Sequence, residues 1–340
     1  MNVVVWGAGA IGGTVGAYLA RAGHEIVLVD RDADHVAAIN QRGLSITGPV
    51  EEFTVSAPAR LPEHMKGQCD TVLLCTKAQH TAEACRALAP HLSADGYVVS
   101  LQNGLNELII AELVGRERTV GAFINFGADY LSPGVIHYGG RGAVVLGEID
   151  GRITSRIEDL HRALLTFDDQ AQVTRNIWGY LWSKLAVGAM LFATALTDAS
   201  IADALASRRH QKLFVAIAKE VLRVAQARGI DPEPFNGFDP QAFLPQAEPA
   251  ASYRSLAEME SFNRASAKTH SGIWRDLAVR KRKTEADDQL GPIRTLGGEV
   301  GVQTPLVGRI IELVHDIEAG LKEQRWENLD ALLDHVPADD

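Results

Sequence analysis

The run Asn2-Val3-Val4-Val5-Trp6-Gly7-Ala8-Gly9-Ala10-Ile11-Gly12 decides how the first half of this chain folds. Its opening residues are apolar and β-branched, the pattern of a short strand buried on both faces. From Ala10 to Ala22 the small and apolar residues recur at helical spacing, so the glycines at 7, 9 and 12 join a strand to a helix. In such a unit the first glycine makes the tight turn, the second lets backbone approach a pyrophosphate, and the third lets helix and strand pack closely. The helix N-terminus then turns free N–H groups and the positive end of its dipole toward phosphate. Gly7, Ala8, Gly9, Ala10, Ile11 and Gly12 are therefore candidate cofactor-binding residues.

The same alternation continues downstream. Strand patterns fall at 2–6, 25–29, 70–75, 97–102 and 118–124, with helical patterns at 10–22, 33–42, 79–92 and 107–114. This order predicts a parallel sheet with crossover helices. Asp30 ends the second strand, where a carboxylate accepts hydrogen bonds from a ribose 2′-OH and favours NAD. Arg31, next to it, can instead pair with a 2′-phosphate and favour NADP. Lys77 and Asn103 close two further strands, where open α/β sheets bind ligands. Each also has a plainer reading, a loop lysine and the first residue of an Asn-Gly turn. The runs 134–138 and 143–146, separated by Gly139-Gly140-Arg141-Gly142, predict an antiparallel hairpin on the sheet's edge.

From about Arg175 the strand signal ends and helical patterns follow at 177–197, 200–228, 254–283, 286–300, 305–323 and 325–334. We expect a dinucleotide-binding domain over 1–174, an all-helical substrate and dimerisation domain over 175–334, and a frayed tail at 335–340. The helix beginning Ile177-Trp178-Gly179-Tyr180-Leu181-Trp182-Ser183-Lys184 is apolar on every face except for its lysine. A lone buried ammonium is costly and tends to lose its proton more readily, which makes Lys184 a candidate proton donor. A lysine whose stem is buried and whose head reaches water is the alternative. Between two helices, Pro232, Pro234, Pro240, Pro245 and Pro249 interleave with Phe235, Phe238 and Phe243 and predict a packed loop.

Composition narrows the partners. A net charge of −10 argues against a general nucleic-acid binder, and no apolar run reaches the roughly 20 residues of a membrane span. Three cysteines without zinc-like spacing, and no basic leader at Met1, predict a cytoplasmic protein with free thiols. None of the histidines falls in a His-Glu-x-x-His pattern, so no metal is expected.

Taken together, several segments resemble the ketopantoate reductase (2-dehydropantoate 2-reductase) family. They are the glycine motif, Thr76-Lys77-Ala78, Leu101-Gln102-Asn103-Gly104, Gly134-Val135-Ile136-His137, Leu181-Trp182-Ser183-Lys184-Leu185-Ala186-Val187, Lys283-Thr284-Glu285-Ala286-Asp287 and Val302-Gln303-Thr304-Pro305. The resemblance covers most of the chain. It implies an α/β fold, with an N-terminal Rossmann-like parallel-sheet domain followed by an all-α C-terminal domain and an active site in the cleft between them. It implies NAD(P)H-dependent reduction of a 2-oxo acid to the 2-hydroxy acid, 2-dehydropantoate to pantoate, in pantothenate biosynthesis. Lys184 then matches the catalytic lysine, Glu285 the active-site carboxylate and Asn103 the asparagine near the nicotinamide. Arg31 and Lys77 match the basic residues that favour NADPH. A homodimer through the helical domain is implied on the same ground.

Departures from the family bear on the substrate. Gly188 and Phe192 stand where the family has asparagines that grip ketopantoate, and four-residue spacing predicts that both face roughly as Lys184 does. Asp30 weakens the NADPH expectation and leaves NAD open. Ser271 resembles the family's substrate-carboxylate ligand, but the stretch from it to Glu285 is one residue longer. The segment 232–249 reads as an elaboration able to cover the cleft. Two alternatives follow: a reductase of a more apolar 2-oxo acid or ketone, and a sensor that binds NAD(P) without turnover.

Overall fold

A computed structural model describes residues 1–266 and 269–337. The chain divides into two compact units, Met1–Ile177 and Trp178–Asp340.

In the first unit the elements run β1 (Asn2–Trp6), α1 (Ala10–Arg21), β2 (Glu25–Val29), α2 (Ala33–Arg42), β3 (Leu44–Thr47), β4 (Phe53–Val55), β5 (Ala59–Arg60), β6 (Cys69–Leu74) and α3 (Thr81–Leu88). They continue as β7 (Leu92–Ser100), α4 (Asn106–Val114), β8 (Thr119–Ser132), β9 (Val135–Glu148), α5 (Ser155–Leu164) and β10 (Gln172–Val173). The strands form one sheet in the order β4-β3-β9-β8-β7-β6-β1-β2-β5, with β10 beside β9. From β5 to β8 every neighbouring pair is parallel. Alternation along β1 explains its unbroken apolar run. Val3 and Val5 enter one core with Leu19, Leu73 and Val99, while Val4 and Trp6 enter another with Val72, Leu74 and Ile110. Each such side chain contributes roughly 1.5–3 kcal/mol by leaving water.

One expectation needs correction here. The glycine run 139–142 is not a turn: β8 and β9 are each 14 residues long, pair antiparallel, and turn at Pro133-Gly134, where Gly134 has φ 77°. The glycines lie inside β9, opposite register shifts between Asn125 and Ala128. A Cβ on Gly142 would lie 1.5 Å from the Asn125 carbonyl oxygen, so the run serves close backbone approach. The short strands β3, β4, β5 and β10 and the helix α5 add to the elements read from periodicity.

The second unit contains α6 (Ile177–Thr194), α7 (Ile201–Ala206), α8 (Gln211–Ala227), α9 (Pro249–Ala265), α10 (Gly272–Ala278), α11 (Ala286–Glu299), α12 (Pro305–Glu318) and α13 (Trp326–Leu333). The patterns at 200–228 and 254–283 therefore each split in two. At the first break Ser207 turns the chain, its Oγ 2.8 Å from His210 Nδ1. Of the tail 335–340, residues 338–340 lie outside the described residues. The buried Glu220 of α8 accepts the N–H groups of Leu306 and Val307 at 3.1 and 2.8 Å, capping α12 in place of Thr304. The end of α6 is anchored as well: Leu196 C=O accepts from Arg325 N–H and Asn328 Nδ2, both at 2.9 Å. Among the described residues, no helix is long and apolar enough to cross a membrane.

Candidate active site

The parallel strands bring the first unit's candidates to one edge. Gly7 follows β1, Asp30 follows β2, Lys77 follows β6 and Asn103 follows β7, so all lie at the carboxyl ends of four adjacent strands. Brackets of backbone hold these ends level: Gly7 N–H donates to Val29 O, Cys75 N–H to Trp6 O and Leu101 N–H to Leu74 O, at 2.8, 2.8 and 2.9 Å.

Each glycine of the loop answers a different constraint. Gly7 has φ 99°, and a Cβ there would lie 2.8 Å from the backbone of Cys75 and Thr76. A Cβ on Gly12 would lie 2.1 Å from the Gly7 carbonyl oxygen. Gly9 differs, since its Cβ would meet nothing within 4 Å. Gly9 is also the N-cap of α1 and offers no side chain to the first-turn N–H groups. A half-exposed opening over uncapped donors fits a pyrophosphate. Cys75 lines the loop from below, and burial pushes its thiol pKa well up, so it stays a neutral packing group.

The corner after β2 is acidic. Asp30 Oδ1 accepts the Asp32 N–H at 3.0 Å, and Asp32 caps α2 by accepting from Asp34 and His35 N–H. Tyr130 donates its hydroxyl to Asp32 Oδ2 at 3.1 Å. Burial first, then that bond and the charges of Asp32, Asp30 and Asp34, push the Tyr130 pKa up to about 12. Arg31 is exposed beside these three carboxylates.

The loops after β6 and β7 are tied by a residue not singled out from sequence. The buried Gln102 donates its amide to Thr76 O, Thr76 Oγ1 and Thr81 Oγ1 at 2.9, 3.2 and 2.8 Å. Thr81 in turn donates to Asn106, whose Nδ2 reaches Asn103 O at 2.6 Å. Asn103 is thus held by its backbone while its side chain is exposed, and Lys77 is exposed at the start of the turn 78–80. The adjacent Leu101-Gln102 in the quoted motif was the available signal for this brace.

In the second unit, α6 half-buries Trp178 at its start and, from Tyr180 on, is buried except for one stripe. Tyr180, Lys184, Val187, Gly188 and Leu191 are half-buried along it, at spacings of three and four. A Cβ on Gly188 would meet nothing within 4 Å, so open space lies one turn from Lys184. Phe192 departs from expectation: it is 0% exposed. Eight residues at 3.6 per turn carry it about 80° round the helix from Lys184, whereas Leu191 is only about 20° away. Wheel arithmetic on the sequence identifies Leu191 as the stripe's next member. The proline-rich segment lies against the same helix, with Glu233 N–H donating to Gly179 O at 3.3 Å. Burial, then the charge of Glu233, raises the Tyr180 pKa. Phe238 stacks on Phe243 with centroids 5.2 Å apart and meets Phe235 at a tilt of 58° and 5.9 Å.

Glu285 is 8% exposed and is the N-cap residue of α11, where its side chain makes no capping bond. Three of the four basic residues before it are committed elsewhere: Arg280 and Arg282 pair with Asp276, and Lys283 pairs with Asp287. Asp288 has a raised pKa from burial and from the charges of Asp287 and Glu285, so a cluster of acids opens this helix. Ser271 is buried rather than on a helix surface. It caps α10, its Oγ accepting the Trp274 N–H at 3.1 Å, and among the described residues its hydroxyl proton has no acceptor.

Known proteins are similar to this chain along both units. The N-terminal and C-terminal ketopantoate reductase PanE/ApbA family models match residues 3–151 and 176–318. A 2-dehydropantoate 2-reductase of Pyrococcus abyssi is 30% identical over 312 residues, 90% of this chain and 94% of that protein. One from Streptococcus pyogenes serotype M6 is 28% identical over 95% of this chain and all of its own. Among solved structures, D-mandelate dehydrogenase with NADH and anilino(oxo)acetate superposes with a TM-score of 0.81 at 26% identity, covering 94% of this chain and 99% of that one. A PanE/ApbA family ketopantoate reductase from Ralstonia eutropha JMP134 gives 0.79 at 27%, covering the same shares. With the family's two models matched along both units, the chain belongs to the ketopantoate reductase family of nicotinamide-dependent oxidoreductases.

Proposed function

We propose that this protein reduces a 2-oxo acid with an apolar or aromatic body to the 2-hydroxy acid, using NADH, with Lys184 as proton donor. The observation that carries the reading is the half-open stripe of α6, where Lys184 is the sole charged member among Tyr180, Val187, Gly188 and Leu191. A bound reduced nicotinamide supplies the hydride to the ketone carbon. Negative charge then grows on the ketone oxygen, which the Lys184 ammonium stabilises and protonates. We assign Glu285 to hold that ammonium in its charged form and Asn103, at the carboxyl end of β7, to the nicotinamide. Ser271 is assigned to the substrate carboxylate, toward which its free hydroxyl proton is donated.

The body of the substrate faces a stripe without amides. A pocket that offers no hydrogen bond to a hydroxyl discriminates for it weakly, so ketopantoate gains little here from its own hydroxyl. The D-mandelate dehydrogenase bound to anilino(oxo)acetate supports an aromatic body. Initial rates across a panel of 2-oxo acids test this: phenyl and branched-alkyl acids should exceed ketopantoate in kcat/KM by roughly tenfold. Gly188→Asn should narrow that gap. Ketopantoate as the best substrate of the panel would assign this chain the activity for which its sequence relatives are named.

NADH is favoured by the acidic corner after β2. A 2′-phosphate placed there would stand beside Asp30, Asp32 and Asp34 with Arg31 as its only adjacent cation in the run. At 4 Å and an effective dielectric of 20, one like-charge pair costs about 4 kcal/mol, and salt at an exposed corner reduces this several-fold. NADH should therefore exceed NADPH in kcat/KM by roughly tenfold, and Asp30→Ala should narrow the ratio. Equal use of both cofactors by the unsubstituted protein would remove the carboxylates from the choice.

A further inference from the structure

We propose that His35 is a positioning residue for the dinucleotide's pyrophosphate, acting through the Ala8–Gly9 peptide. His35 is the third residue of α2 and only 1% exposed, with no counterpart among the motifs read from sequence. Its Nε2 lies 2.9 Å from the Ala8 carbonyl oxygen, inside the glycine loop. Its Nδ1 lies 2.9 Å from the Gly134 nitrogen, at the turn between β8 and β9. The partners settle the tautomer. A carbonyl only accepts and a backbone N–H only donates, so Nε2 carries the proton and Nδ1 accepts. The ring packs edge-on against Tyr130 at 5.0 Å, and the His35 N–H is capped by Asp32 at 3.2 Å.

Direction follows from peptide geometry. In a trans peptide the C=O and the N–H point to opposite sides, so holding the Ala8 carbonyl also aims the Gly9 N–H. Gly9 is the N-cap of α1 and the glycine over which open space was found. Ala8 is fully buried, and without His35 its carbonyl loses the acceptor bond that sets the plane. The hairpin has its own contact with the same helix, since Ile136 Cδ1 lies where a Cβ on Gly13 would stand, 2.2 Å away. The two arms of the imidazole therefore do separable work. The Ala8 arm aims a phosphate donor, and the Gly134 arm joins the hairpin to α2.

This inference rests on the glycine loop holding the cofactor, and isothermal titration with NADH separates the two. Glutamine places a donor near the Nε2 position, and asparagine places an acceptor near the Nδ1 position. His35→Ala should raise the NADH Kd roughly tenfold, the effect of one lost hydrogen bond. His35→Gln should restore it to within about threefold of the unsubstituted protein, and His35→Asn should resemble His35→Ala. In steady state the cofactor KM should follow Kd, while kcat at saturating NADH changes by no more than about twofold. Rescue by asparagine rather than glutamine, or a kcat loss at unchanged Kd, would overturn the assignment. A Kd unchanged in His35→Ala would overturn it while leaving the cofactor site standing. Absence of NADH binding by the unsubstituted protein would remove the cofactor reading, and this inference with it.

Discussion

Lys184→Ala is expected to lower kcat by roughly 10² to 10⁴-fold, the usual worth of a positioned proton donor. NADH affinity should be unchanged, because the glycine loop and the acidic corner belong to other elements. The variant should also fold. Lys184 is half-buried on the stripe of α6, so truncation removes a side chain from a partly open face rather than from the core. Single-turnover rates with NADH and a phenyl 2-oxo acid, beside a titration of NADH alone, measure both quantities. A kcat within about threefold of the unsubstituted enzyme would remove the lysine from the chemistry. Binding of NADH with no turnover of any 2-oxo acid by the unsubstituted protein would instead favour the sensor reading.

Gly12→Ala should lower Tm by on the order of 10 °C and weaken NADH binding together, whereas Gly9→Ala should weaken binding alone. At Gly12 the added methyl would sit 2.1 Å from the Gly7 oxygen and 2.8 Å from both Cys75 Cβ and Val5 Cγ1. Backbone cannot yield there without parting α1 from β1, and both lie against the sheet's core. At Gly9 the backbone has φ −69°, which alanine adopts freely, and the methyl meets no protein atom. It occupies only the space assigned to pyrophosphate. Thermal melts and NADH titrations on both variants check the contrast. If Gly9→Ala bound NADH as tightly as the unsubstituted protein, the opening over Gly9 would not be the phosphate site.

The legible parts of this chain share a physical cause. β1 and β2 are legible to the residue, because after an exposed first residue, Asn2 or Glu25, each runs apolar to its end as a strand covered on both faces must. Lys184 stood out because an ammonium inside an apolar helix breaks the period. The hairpin turn was misplaced because glycine marks both a turn and a close backbone approach, and only the register with β8 separates them. Phe192 was misjudged because a spacing of four drifts with each turn and by eight residues has left the face. Gln102 and His35 carried no pattern of their own. Each acts through partners distant in sequence, Gln102 across 26 residues to Thr76 and His35 across 99 to Gly134.

By itself, the amino-acid order determined the alternation of strands and helices, the glycine turn between β1 and α1, the family, and the place of a lysine in an apolar helix. These are set by local periodicity and by residue types whose chemistry is bound to short spacings. Only the tertiary structure decided which side chains share the open face of α6, how acidic the corner after β2 is, and what holds the Ala8–Gly9 peptide. Those properties arise where separate segments meet, and burial and hydrogen-bond direction exist only once the chain has brought them together.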